Sequence, residues 1–239
     1  MAIDKPLEGK IALITGASRG IGLAIARRLA SMGARVSLCG RDAKLLESAE
    51  KECQQGGSQA IAIVADVTRP ADIAKLVETT EQALGAIEIL INNAGIGYFA
   101  AVQDADPSKW DDVLDTNLKA VFLLSHAVAP GMMRMGRGHI VNIASLAGKN
   151  TFAGGAVYCA SKWGLLGLTG CMAEDLRAHG IRVSAVCPGS VATDFGLPSA
   201  RNKNKMLQPD DVAHAVEAIL TQAPQSFISE VLLRPTQKP

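Results

Sequence analysis

Short runs of apolar and β-branched residues recur along the chain at positions 11–15, 35–39, 60–65, 88–92, 139–144, 181–187 and 227–233. Between them lie longer segments whose apolar residues follow helical spacing, at 21–32, 43–54, 72–84 and 210–222. Two further segments, 107–135 and 156–179, predict longer helices framing the middle of the sheet. The strand runs are apolar on both faces, as in a sheet covered by helices on each side, and strict strand–helix alternation predicts parallel order. Asp42 and Asp210 stand where N-caps are expected. No repeat, charge block or low-complexity linker divides the chain. Residues 1–239 are therefore expected to form a single α/β domain, doubly wound around a seven-stranded parallel sheet with helices on both faces. In that architecture ligands bind beyond the carboxyl ends of the strands, near the reversal in strand order.

Composition narrows the function classes. A domain of 239 residues buries roughly 70–75% of its unfolded surface, enough for a substantial core. Lys plus Arg number 24 against 23 acids, so no global field recruits nucleic acid or an anionic membrane. Residues 1–10 lack the apolar stretch of a signal peptide, and no apolar run approaches the roughly 20 residues of a membrane span. The five cysteines (Cys39, Cys53, Cys159, Cys171 and Cys187) are odd in number and form no Cys-x-x-Cys pair, which fits reduced thiols in a cytoplasm. His126, His139, His179 and His214 are too dispersed for a metal motif. No metal site is expected.

The chemistry-bearing residues cluster after the strands. Thr15-Gly16-Ala17-Ser18-Arg19-Gly20-Ile21-Gly22 joins the first strand to the first helix. Its glycines permit a tight turn and close backbone approach to a pyrophosphate, with a helix N-terminus favouring the anion. By itself such a motif could be a plain glycine-rich turn. Asp66-Val67 follows the third strand, Asn92-Asn93-Ala94-Gly95 ends the fourth, and Asn117, Ser145, Tyr158-Cys159-Ala160-Ser161-Lys162 and Pro188-Gly189 follow in order.

This series resembles the short-chain dehydrogenase/reductase family. The resemblance spans Thr15 to Gly189, and it identifies the family far more sharply than the substrate. It implies hydride transfer between a nicotinamide dinucleotide and a small-molecule carbonyl or secondary alcohol. Cofactor contacts would come from Gly16, Ser18, Arg19, Gly20, Ile21, Gly22, Asp66, Val67, Asn93, Ala94, Gly95, Pro188, Gly189 and Val191, with Thr193 on the carboxamide.

At the second strand, Cys39-Gly40 occupies the end where an NAD enzyme usually carries an acid for the ribose 2′-hydroxyl. Arg41 comes next, and Arg19 lies in the glycine loop. Two guanidiniums can grip a 2′-phosphate, so NADP(H) is expected, with NAD(H) the alternative. Asp42 keeps that alternative open, although its position suits a helix cap better.

Tyr158 and Lys162 are four residues apart, on one face of a helix, and Ser145 lies just after the fifth strand. A free tyrosine has a pKa of about 10, too high for efficient proton exchange at neutral pH. A neighbouring Lys162 ammonium and an oxidised nicotinamide are expected to lower it. The resemblance implies that Lys162 also holds the nicotinamide ribose and that Ser145 stabilises the substrate oxygen. It further implies that Asn117 anchors a water supplying protons to Lys162.

Residues 190–208 correspond to the substrate loop of the family, with Arg201, Lys203 and Lys205 near its tip. Tyr98, Phe99, Thr151 and Phe152 are candidate pocket walls. Some relatives are 3-oxoacyl-[acyl-carrier-protein] reductases, and Arg134, Arg137 and Arg177 are candidates for docking an acidic carrier. Ser229-Glu230 stands where relatives often have a glycine pair. The family commonly forms homotetramers, or homodimers, through the segments after Pro107 and Ala156. Val113, Leu114, Val121, Leu165, Leu166 and Leu168 could supply the apolar outer faces, or could face the sheet. The remaining alternative is a non-catalytic dinucleotide-binding regulatory protein, which would have no need of Ser145, Tyr158 and Lys162 together.

Overall fold

The computed structural model describes residues 5–55, 57–195 and 202–237. Seven parallel strands form one sheet: β1 (Ile11–Thr15), β2 (Arg35–Gly40), β3 (Ala60–Val64), β4 (Ile89–Asn92), β5 (Gly138–Ile143), β6 (Ile181–Pro188) and β7 (Glu230–Leu233). Their order is β3-β2-β1-β4-β5-β6-β7, reversing direction between β1 and β4. The helices are α1 (Gly20–Ser31), α2 (Ala43–Gln55), α3 (Pro70–Leu84), α4 (Pro107–Leu114), α5 (Ala120–Met135), α6 (Ala156–Arg177) and α7 (Pro209–Leu220).

Alternate residues of each central strand enter opposite cores, as the two-residue strand period requires. Ile14 joins Ile25 and Leu29 of α1, Leu46 of α2, and Val212, Val216 and Ile219 of α7. Leu13 joins Ile73 and Leu76 of α3, Leu124 and Met132 of α5, and Met172 of α6 on the other face. This division has a topological consequence. The β4–β5 and β6–β7 steps run in the same direction across the sheet, yet α5 and α7 cover opposite faces. The β6–α7–β7 crossover therefore has the opposite hand to the others, an exception to the strong right-handed preference.

Three expectations change in detail. The helix expected over 107–135 is interrupted by a widened π-type turn at Asp115–Lys119, which turns Asn117 into the interior. Such turns commonly occur at functional sites. Asp210 is not the cap of α7. Gln208 is the capping residue, and its N–H donates to the Asp211 carboxylate at 2.7 Å. Strand β7 begins at Glu230 rather than 227, because the Ile228 carbonyl accepts from Ser184 Oγ (2.6 Å) outside the ladder. Asp42 does cap α2, accepting from the Leu45 N–H at 3.1 Å.

Of the residues weighed for apolar outer faces, Val113, Val121 and Leu165 are buried within the subunit. The exposed apolar side chains on α4–α6 are Trp110, Phe122, Met133 and Trp163. Among the described residues, no helix is long and apolar enough to cross a membrane, and no group of His, Cys, Asp and Glu gathers as metal ligands. All five cysteines are free thiols.

His139, on β5, is enclosed at the sheet edge opposite the strand carboxyl ends. Its Nε2 lies 2.8 Å from Ser184 Oγ, which itself donates to Ile228, so Nε2–H is the donor to Ser184. Burial, reinforced by the Arg182 charge, holds the imidazole down to about 3. An unfolded histidine protonates near pH 6.5, so over the interval between the unfolded state binds a proton that the folded state refuses. Stability is therefore expected to fall as pH drops below about 6.5. Replacing His139 by Asn should flatten the dependence of unfolding free energy between pH 6.5 and 4.5, measured by urea denaturation at stepped pH.

Candidate active site

A cleft of about 1040 Å³ opens beyond the carboxyl ends of the strands, at the reversal between β1 and β4. The turn entering α1 forms one wall, with Gly16 and Gly20 in the left-handed region at φ 63° and 58°. A Cβ at Gly16 would lie 2.9 Å from Ala94 Cα, so both conformation and space demand glycine. Gly22 lies beneath the turn, where a Cβ would overlap the Gly16 carbonyl. No side chain caps α1, and its first turn carries no acid, leaving a helix N-terminus suited to an anion.

The turn is tied to β4 by side chains. Thr15 Oγ1 accepts from the N–H groups of Asn93 (3.0 Å) and Ala94 (3.1 Å) and donates to the Ile91 carbonyl (3.3 Å). Asn93 Nδ2 donates to the carbonyls of Thr15 (2.9 Å) and Gly16 (3.1 Å). Both amide protons of Asn93 are thus committed to the protein. Thr15, absent from the expected site, is the anchor of this junction.

At one end of the cleft lie Arg19, Arg41, Asp66 and Val67. Both arginines are solvent-exposed. Asp66 Oδ1 accepts from the N–H and hydroxyl of Thr68, and these bonds, with the nearby charges of Arg41 and Arg69, hold its carboxyl below the usual range. The strand end carries the buried Cys39, and Asp42 is occupied in capping α2.

At the other end, Ser145 and Tyr158 both line the cleft, with Ser145 near enough to favour the ionised phenol. Ser145 Oγ accepts from the Ala147 N–H at 3.0 Å, leaving its own proton free to point at the phenol oxygen. Lys162 is buried, with Nζ donating to the Ile143 carbonyl at 2.9 Å and standing 5.9 Å from the Tyr158 ring centroid. The protein's own groups do not lower the phenol as expected. Burial pushes it up to about 12, with only Ser145 acting against that rise. Burial likewise draws the Lys162 ammonium down to about 8, opposed by Cys187. Desolvation disfavours each charged form and is the largest influence on both.

Asn117 stands behind the wall rather than in the cleft. Its Oδ1 accepts from the Ile96 N–H (2.8 Å), and its Nδ2 donates to the Ile96 carbonyl (2.9 Å) and to Ser161 Oγ (3.1 Å). Ser161 in turn donates to the Tyr158 carbonyl at 2.7 Å. The amide therefore couples the loop after Gly95 to the helix carrying Tyr158 and Lys162. Ser161 was legible only as part of the Tyr158–Lys162 run; its partners were not.

The cleft brings together the remaining expected residues: Ser18, Ile21, Gly40, Ala94, Gly95, Pro188, Gly189, Val191 and Thr193 all line it. Phe99 and Phe152 are wall residues, and Phe195 joins them unforeseen. Tyr98 and Thr151 are not walls; the Tyr98 hydroxyl instead accepts from the Asp106 N–H at 2.8 Å. Arg134, Arg137 and Arg177 lie toward the amino ends of the strands, away from the cleft, and Arg137 and Arg177 are engaged by Glu88 and Glu174. They form no basic rim. The base of the segment expected at 190–208 is pinched by a Val191–Leu207 bridge. Its tip at 196–201, including Arg201, lies outside the described residues. Glu230, at the unusual carboxyl-terminal position, pairs with Lys149 at 2.9 Å and ties β7 to the turn after Ser145.

The short chain dehydrogenase family model matches residues 10–204. The chain belongs to that family and is an oxidoreductase of the short-chain type. It is 35% identical to an uncharacterized oxidoreductase of Staphylococcus saprophyticus, over 96% of this chain and 98% of that one. A metagenomic short-chain oxidoreductase in complex with NADP superposes with a TM-score of 0.86 at 46% identity, covering 98% and 100% of the two chains. An alcohol dehydrogenase of Thermococcus sibiricus complexed with 5-hydroxy-NADP gives 0.90 at 29%, covering 96% and 98%.

Replacing Gly22 by Ala should lower stability by about 1–3 kcal/mol through overpacking against the Gly16 carbonyl. It should also weaken dinucleotide binding, read by thermal unfolding with and without NADPH.

Proposed function

We propose that the protein is an NADP(H)-dependent oxidoreductase acting on a carbonyl compound or secondary alcohol, with Tyr158 as the proton-transfer group. The observation carrying this reading is the convergence of Ser145, after β5, and Tyr158 and Lys162, on α6, on one cleft with the glycine turn. The left-handed glycines, their missing side chains and the uncapped α1 suit a dinucleotide pyrophosphate. When bound, the nicotinamide supplies or accepts the hydride.

The protein's residues handle the oxygen and its proton. In the reducing direction, Tyr158 gives its hydroxyl proton to the substrate oxygen. Ser145 donates to that oxygen and steadies its developing charge. A phenol raised to about 12 is a weak acid, so its proton transfer requires added positive charge nearby. Lys162, close behind the ring, is the group that supplies it from the protein. Asn117 acts as a positioning residue through Ile96 and Ser161, and a water held there would resupply the proton.

The exposed Arg19 and Arg41 support a 2′-phosphate partner, as does the absence of an available acid at the end of β2. Thr193 would meet the carboxamide, and the base of the 190–208 segment would border the substrate. Assembly as a homodimer or homotetramer would use the exposed Trp110, Phe122 and Trp163.

Tyr158→Phe is expected to reduce turnover by about 10²–10⁴-fold while leaving NADPH affinity nearly unchanged, as measured by NADPH oxidation and by fluorescence titration. Near-normal turnover in that variant would overturn the assignment. Wild type should prefer NADPH to NADH. The double variant Arg19→Ala/Arg41→Ala should lose about tenfold or more in kcat/KM for NADPH, with little change for NADH. Equal or better use of NADH by wild type would defeat the cofactor reading.

A further inference from the structure

We infer that Phe99, Phe152 and Phe195 form a specificity wall that selects an uncharged carbonyl compound bearing an aromatic ring beside the reacting carbon. The inference rests on the reading of Tyr158 as the group that meets the substrate oxygen. The chain holds five phenylalanines, and three of them line the cleft on the side of Tyr158. They arrive from different places: Phe99 after β4, Phe152 after β5 and Phe195 after β6.

Phe99 meets the Tyr158 ring edge-on at 5.3 Å between centroids, Phe195 approaches it at 6.0 Å, and Phe99 and Phe152 are 6.0 Å apart. Two glycines provide the room. A Cβ at Gly97 would stand 3.0 Å from Phe99 Cε2 and 3.1 Å from Phe195 Cε1, and one at Gly155 would stand 2.8 Å from Phe152 Cε2. Neither glycine has a positive φ, so space rather than conformation is what they contribute. Phe152 remains 49% exposed and Phe195 37%. These are apolar faces turned toward solvent at a cleft, where a flat ligand would cover them.

Charge argues the same way. Of the charged residues lining the cleft, Arg19, Arg41 and Asp66 belong to its other end, and Lys162 is committed to the Ile143 carbonyl. Asp194, beside Phe195, is paired with Lys203 at 3.7 Å, so this end of the cleft offers no unpaired cation to hold a carboxylate or a phosphorylated acyl thioester. A polyhydroxylated substrate would set its hydroxyls against phenyl faces without partners. A planar ring instead gains ring–ring contact, worth roughly two- to tenfold per favourable pair beyond simple burial.

The test compares 1-phenylethanone, its saturated counterpart 1-cyclohexylethanone and acetoacetyl-coenzyme A with NADPH. The phenyl ketone should exceed the cyclohexyl ketone by about tenfold in kcat/KM and exceed the thioester by more. Phe99→Leu and Phe152→Leu should each bring the phenyl-to-cyclohexyl ratio toward one. Phe152 is the safer variant for folding because it is half-exposed. Turnover with a ratio near one, or with the thioester preferred, would overturn the wall while leaving the oxidoreductase reading intact. Calorimetry on Tyr158→Phe loaded with NADPH gives a readout independent of chemistry, and the same tenfold preference in Kd is expected there. That preference without any turnover by wild type would support the wall and count against the Tyr158 reading. No measurable preference in Kd would overturn the wall.

Discussion

The junction between the ends of β1 and β4 is the constraint on which the rest of the site depends. Parallel strands diverge in connection there, and the reversal leaves a crevice that something must hold at a fixed width. Thr15 and Asn93 do so with five hydrogen bonds across the strand ends, two accepted and one donated by one hydroxyl and two donated by one amide. The glycine turn can come so close to β4 only because Gly16 and Gly22 add no side chain. A chain fold of many kilocalories thus converges on a few ångströms of backbone clearance.

Electrostatics at the opposite end follow from burial. Tyr158 and Lys162 occupy one helical face and are both enclosed, so each is pressed toward neutrality. Placing them this way leaves the acidity of the phenol dependent on what else is in the cleft. A cationic ligand would stabilise the phenolate in a low-dielectric setting, where its charge acts strongly. In the proposed function, proton transfer is then conditional on binding, and the phenol stays protonated otherwise.

The two ends of the cleft differ in kind. The Arg19 and Arg41 end is exposed and charged, whereas the Tyr158 end is walled by phenyl rings and bordered by an acid. Asn117 ties the loop after β4 to α6 through Ile96 and Ser161 without lining the cleft. Its position depends on the π-type turn that breaks an otherwise regular helical segment. The burial of this amide thus depends on a local departure from the helix that the apolar pattern describes.

Strand and helix positions were written in the sequence because burial on two faces demands continuous apolar runs and helices demand their 3.6-residue period. The ordered series from Gly16 to Gly189 was equally legible, since glycine, tyrosine and lysine have few other reasons to fall at those strand ends together. Side-chain destinations were not. Tyr98 and Phe99 are neighbours, yet one hydroxyl serves Asp106 while the other ring reaches Tyr158. The hand of the β6–α7–β7 crossover, the inward turn of Asn117 and the arrival of Phe195 each depend on contacts between segments far apart in the chain. So does the state of Tyr158. Its distance in sequence from Lys162 promised a neighbouring ammonium, and only the folded chain shows how strongly burial presses both groups toward neutrality.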